Sequence, residues 1–152
     1  MKNSKKRWVY LPVEVKVREL DAKLLLSYYL VLQGYRVVIG EHKMVELAIL
    51  RYPKGIFFSK GYPNRFRKRI LSTAVKEGHK VVELDEEGLI IHDRKQYLFD
   101  RMRTDVSRFV SQQYCWGEYQ HHLITKSFSR KEPICFITGN PRFDLLTSKY
   151  RS

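Results

Sequence analysis

The feature that most constrains this chain is a recurring pair. A short run rich in β-branched or aromatic residues gives way to a polar break, and a helix-length stretch follows. Residues 35–39, 55–59, 81–84 and 134–138 are such runs. Strands of this length alternating with helices predict a parallel sheet covered on both faces. Residues 8–17 alternate Val9, Leu11, Val13, Val15 and Val17 with polar positions, which predicts a first strand. Pro12 would place it at an edge or break it early near Glu14. Asp21 is the expected N-cap of a buried helix over 22–33, and Gly34 its terminator. Further helices are expected over 43–50, from Asn64 to about 77, over 96–108 and from Gly117 to about 126. A strand is expected over 113–116, and Pro141 should open a last helical turn. The fold class is therefore α/β, a Rossmann-like, mostly parallel sheet with helices on both faces.

A chain of 152 residues, 43% hydrophobic, can build one real core. Lys and Arg total 29 against 16 Asp and Glu, a formal charge of +13. That excess favours polyanions, phosphorylated ligands or an anionic membrane surface. Met1 to Arg7 is basic but no apolar stretch of signal-peptide type follows. The most apolar run, 24–32, is too short to cross a bilayer. The expected location is cytoplasmic, with any membrane contact peripheral, at the inner face of the plasma membrane. Cys115 and Cys135 lack metal-type spacing and read as two buried, reduced thiols.

In an open α/β sheet, ligands meet the carboxyl ends of the strands. Those ends supply Arg18, Glu19 and Asp21, then His42, Lys60, and Asp85-Glu86-Glu87-Gly88. Further along they supply Glu118, Asn140 and Arg142. A crevice of mixed acids and bases suits a hydroxyl-rich or phosphorylated ligand. A carboxylate can take a proton from a hydroxyl, and Arg or Lys can hold phosphate oxygens. The three adjacent acids repel one another and require compensation by solvent, a helix N-terminus or a cationic ligand. Each candidate also has a plainer reading. The 85–88 stretch can be a solvated acidic loop, Asp21 a cap, His42 a surface loop residue, Glu118 a complement to a helix dipole, and Arg142 a partner for Asp144. The basic cluster 65–69 reads as a solvated helix face or a contact for anionic head groups. His121 and His122 have no companion ligands, so no metal is assigned. The absence of G-x-G-x-x-G, Walker and G-x-S-x-G patterns argues against dinucleotide, ATPase and hydrolase readings.

Four segments carry a resemblance. They are residues 11–23 (LPVEVKVRELDAK), Leu84-Asp85-Glu86-Glu87-Gly88-Leu89, Trp116-Gly117-Glu118-Tyr119-Gln120 and residues 138–146 (TGNPRFDLL). In this order they resemble the N-terminal half of the bacterial surface carbohydrate biosynthesis protein family of lipopolysaccharide and capsule loci. That family is similar to GT-B glycosyltransferases. The Gly-Asn-Pro-Arg segment is similar to one in glycerophosphate polymerases of teichoic acid synthesis. Non-hydrolysing UDP-N-acetylglucosamine epimerases have Thr-Gly-Asn there, and a Glu-Ala-Gly-Leu stretch whose glutamate is catalytic. Glu86 falls at that position. Glu87 replaces the alanine and Asp85 the preceding histidine, so a functional carboxylate carries over and epimerase chemistry does not.

The resemblance implies a basic flexible tail over 1–7, an acceptor-side lobe over 8–146, and the start of a linker or C-terminal tail over 147–152. It implies transfer of a sugar or glycerophosphate from a nucleotide-activated donor to an acceptor hydroxyl, with Glu86 or Glu87 as base. The remaining strand-end residues would bind substrate. No cofactor is implied. The nucleotide-sugar donor would be held mainly by a second lobe, without which the lobe is expected to be inactive. The expected partners are that donor, a lipid-linked or phosphorylated acceptor, and a homo-oligomeric copy or a separate second lobe. No specific nucleic acid is expected. The competing readings are a basic nucleic-acid-binding module, drawing on Trp8, Tyr62 and Phe66 among basic residues, and a non-catalytic partner that docks a separate lobe through Phe143, Leu145 and Leu146.

Overall fold

The computed structural model describes residues 7–61, 65–128 and 133–150. Tyr62, the Asn64 cap, most of the basic tail and the end of the linker lie outside these residues. The elements follow in chain order: β1 (Trp8–Val13), α1 (Lys16–Leu32), β2 (Arg36–Glu41), α2 (His42–Ala48), β3 (Gly55–Ser59), α3 (Arg65–Lys76) and β4 (Lys80–Leu84). Then come α4 (Arg94–Arg101), α5 (Thr104–Ser107), β5 (Gln112–Cys115), α6 (Glu118–Ser127), β6 (Ile134–Ile137) and α7 (Pro141–Asp144). A 3-10 turn over Ser148–Tyr150 ends the described chain.

Six strands form one sheet in the order β2-β1-β3-β4-β5-β6, and every pairing is parallel. The chain steps outward from β1 to β2, then crosses back to β3. That reversal splits the helices between the faces. Tyr10, Phe57, Val81 and Cys115 pack against α2, α3, α4, α5 and α6 through Val45, Leu71, Tyr97, Val106 and Ile124. Val9, Leu11, Phe58, Val82 and Leu84 point the other way, toward Leu26 and Leu30 of α1. This second face is thinly covered. A cavity of about 260 Å³ remains there, lined by Leu26, Leu30, Phe58, Val82, Leu84 and Tyr114 among others.

Several sequence expectations are corrected. The first strand ends at Val13, and α1 starts at Lys16 with Val15 as its uncapped N-cap. Val17, read as strand, is almost wholly exposed, and Asp21 is an exposed mid-helix residue rather than a cap. The alternation misled because a polar cap is absent; the carboxylate of Glu19 instead reaches back to accept from the Glu14 N–H at 3.0 Å. β1 is internal despite Pro12, because its register with β3 runs only from Trp8 to Tyr10, short of the proline. The helix expected over 96–108 breaks into α4 and α5 around Met102. The run 134–138 is an edge strand with Ile134, Phe136 and Ile137 substantially exposed. Cys115 is buried, but Cys135 on that edge is only half-buried. Gly34 and Gly78 do end α1 and α3, with φ of 82° and 86°.

Candidate functional site

The carboxyl ends of β1, β3 and β4 meet the start of α1 in a dense ionic network. Glu19 lies in the first turns of α1 and is fully buried. Lys60, just past β3, donates to both of its oxygens at 2.8–2.9 Å and to Glu14 at 2.8 Å. Arg18 adds a bond to Glu19 at 3.2 Å. Burial alone would raise the Glu19 carboxyl. The Glu14 N–H, Lys60 and Arg18 outweigh it, holding the group below its ordinary value.

The three consecutive acids after β4 diverge. Asp85 turns to the α4 side, where it meets Arg101 and accepts from the Tyr97 hydroxyl at 3.1 Å. Glu86 turns to the α1 side. Its Oε1 lies 2.7 Å from Lys23 Nζ, and its Oε2 accepts from Arg142 at 3.0 Å and Asn140 at 3.4 Å. Glu87 points outward between Arg18 (3.5 Å) and Arg101 (3.3 Å), with its side chain 55% exposed. The compensation that their proximity demands therefore comes from the protein's own cations. Asn140 also caps α7 by accepting from the Arg142 N–H at 2.9 Å, which aims the arginine at Glu86.

Neutral hydrogen bonds from Trp116, Gln120 and Tyr97 fix this arrangement. Trp116 Nε1 donates to the Asp85 carbonyl at 2.6 Å. Gln120 accepts from the Trp116 N–H and donates to the Tyr97 hydroxyl, both at 2.7 Å. Gly88 sits against Gln120, where a Cβ would come within 2.2 Å of its Nε2. Burial, then the Asp85 carboxylate, pushes the Tyr97 phenol up. Burial alone would lower the Arg101 guanidinium, but Asp85 and Glu87 outweigh it and push it up.

Of the residues expected from sequence, Arg18, Glu19, Lys60, Asp85, Glu86, Glu87, Gly88, Asn140 and Arg142 come together. Three do not join their bonds. Asp21 is exposed on α1, His42 pairs with Glu41 at 2.8 Å at the start of α2, and Glu118 is exposed in the first turn of α6. Arg142 pairs with Glu86 rather than Asp144. Sequence reasoning missed Glu14, Lys23, Tyr97, Arg101 and Gln120. Lys23 did carry a signal, because a cation between Ala22 and Leu24-Leu25-Leu26 on a buried helix requires an acid opposite.

Arg18, Lys23, Lys60, Arg101 and Arg142 face Glu14, Glu19, Asp85, Glu86 and Glu87. The network thus balances its own charge. Arg18, Arg142, Glu14 and Glu87 keep substantial exposure. The Nε atoms of Arg18 and Arg142 are buried and have no hydrogen-bond partner among the described residues. An incoming ligand would meet the exposed parts of two guanidinium groups and two accessible carboxylates, Glu14 and Glu87.

One further carboxyl lies just below. Glu83 of β4 is fully buried beside Ser59 of β3 and Gln113 of β5. Among the described residues neither of its oxygens makes a well-formed hydrogen bond, though the Ser59 hydroxyl is close enough to ease its charge. Burial pushes it up to about 8.

Among the described residues, no group of three or more His, Cys, Asp or Glu is placed to hold a metal ion. None of their helices is long and apolar enough to cross a membrane. Compared with known proteins, the chain matches no family model and no curated sequence.

Proposed function

We propose that the described fold is the acceptor-side lobe of a GT-B-like transferase of surface polysaccharide synthesis. It would act at the cytoplasmic face of the membrane, moving a sugar or glycerophosphate from a nucleotide-activated donor to an acceptor hydroxyl. One observation carries the reading. The four segments of the family resemblance, far apart in sequence, converge at one strand-end site: Glu86 bonds Asn140 and Arg142, Trp116 bonds the Asp85 carbonyl, and Arg18 reaches Glu87.

The network divides the labour between its acids. Glu86 has both oxygens engaged and positions Arg142. Glu87 is accessible and is the better placed base. In the step, Glu87 takes the proton of the acceptor hydroxyl. The acceptor oxygen then bonds to the anomeric carbon, or to phosphorus in a glycerophosphate transfer. The bond to the nucleotide phosphate breaks, and its electron pair leaves with the nucleotide. Arg18 and Arg142 hold acceptor phosphate oxygens. A second lobe would present the donor. The exposed Phe143 and Leu146 support a docking role for this lobe, with the facing lobe as partner.

Binding of phosphorylated saccharides, nucleotide sugars and single-stranded oligonucleotides, followed by ligand-detected NMR on the whole chain, tests this. Saturable binding of phosphorylated saccharides, lost in Arg142→Ala, is expected. Tight oligonucleotide binding with no saccharide response would replace this reading by a nucleic-acid-binding one. A transfer assay with the donor lobe supplied should lose turnover in Glu87→Gln.

A further inference from the structure

α1 is apolar on both sides. Its inner side, with Ala22, Leu26 and Leu30, packs on the sheet. On its outer side Val17, Leu20, Leu24, Tyr28 and Val31 recur at steps of three, four, four and three. Val17 is 97% exposed, Leu24 48%, Tyr28 59% and Val31 57%. A helix with an apolar stripe on its outer side as well as its inner one has a second face to bury. The three-and-four spacing makes a seam for another helix along the length of α1, about 25 Å.

We infer that this face of α1 is the interface of a homodimer, in which α1 packs antiparallel on α1 of a second copy about a two-fold axis at Leu24.

Three observations select that occupant. The first is self-complementarity. A two-fold axis at Leu24 sets Val17 of one copy against Val31 of the other, Leu20 against Tyr28, and Leu24 against itself. Asp21 comes level with Ser27, not with another acid, and the two helix dipoles oppose favourably. The second is charge. The chain carries +13, but exposed Lys43, Arg69, Lys76, Arg94, Lys95 and Lys126 sit on helices of the opposite sheet face. Two copies meeting through α1 turn those charges away from each other. An anionic bilayer would be drawn to the other face, so charge favours protein over lipid here. The third is area. These side chains, of which Leu20 is partly buried, and the well-exposed Leu32 offer on the order of 600 Å² per copy, which for a pair fully covered reaches about 1,200 Å², the lower end of stable interfaces. The inference does not depend on the transferase reading.

Sedimentation velocity on the whole chain should give twice the 18.2 kDa of one chain. Leu24→Arg puts two like charges on the axis and should weaken the dimer at least about thirtyfold. Tyr28→Lys should do the same, with circular dichroism unchanged in both. Mild oxidation by oxidised glutathione should join Leu24→Cys copies through a disulfide, but not Val75→Cys copies, whose substitution lies on α3. A monomeric wild type, or a dimer indifferent to both charge variants, overturns the proposal. So does monomeric protein that binds phosphatidylglycerol vesicles and loses that binding in Leu24→Arg, which would assign the face to lipid.

Discussion

Glu83 and Glu86 lie three residues apart, one within β4 and one just past its end, both withdrawn from water, and meet opposite fates. Glu83 points into the face covered by α3 and α4 and finds no ion pair and no well-formed hydrogen bond among the described residues, only the nearby Ser59 hydroxyl. Burial therefore keeps its proton on until about pH 8. Glu86 points to the α1 side and finds Lys23, Arg142 and Asn140. Desolvation penalises both charges; partners offset it at only one. Burial depth alone does not make a carboxyl a base, and the partner set decides what it can do.

The contrast is tested most severely at Lys23. Lys23→Met leaves Glu86 buried with half its compensation, and should cost about 3–5 kcal/mol in urea unfolding. Combining it with Glu86→Gln should recover part of that loss. A cost under about 1 kcal/mol would show that Lys23 is not what holds the buried charge.

Glu83 sets the next largest effect, seen through pH. Its folded value lies above the ordinary 4.5, so its contribution is full below about pH 4.5 and is lost as pH rises to about 8. Stability measured at pH 5, 7 and 9 should fall by a few kcal/mol in wild type, and Glu83→Gln should flatten the curve. Glu19 has the opposite sign. Its folded value is lowered, so its contribution is present above pH 4.5 and lost as pH falls. A Gln variant with the wild-type alkaline slope would break the contrast from the Glu83 side.

Gly88→Ala probes the supports of the paired side. The new Cβ displaces Gln120 from Tyr97 and Trp116, and should cost about 1–3 kcal/mol in thermal unfolding. Smallest of all, Glu87→Gln should change stability by under about 0.5 kcal/mol, because its carboxylate is more than half exposed and both its ion pairs are long. That near-silence separates its proposed chemical role from a structural one.

Much of the fold was legible in the chain. Short apolar runs punctuated by Gly34 and Gly78 specify strand–helix units, and Pro141 after Asn140 opens α7 with a capped turn. The start of α1 was not legible. Val13, Val15 and Val17 alternate as a strand would, and the group that anchors the helix start, Glu19, is fixed by Lys60, 41 residues away. β6 reads as buried from its composition, and only the sheet order reveals it as an edge. The site's acids were visible because they are adjacent. Their cations were hidden because Lys23, Arg101 and Arg142 come from α1, α4 and α7, and no local pattern announces which carboxylate each will meet.

The Trp116 indole has a use beyond holding the Asp85 carbonyl. Its ring lies edge-on to Phe143 at 5.4 Å, with the Arg142 guanidinium 5.9 Å from its centre. The sequence has two tryptophans, and the other, Trp8, begins β1 at the far end of the sheet. In a Trp8→Phe background, emission excited at the red edge, past the absorption of the ten tyrosines, comes from one indole built into the wall of the strand-end site. Any ligand that draws Arg142 away changes the charge over that ring, so the molecule carries its own optical gauge of occupancy.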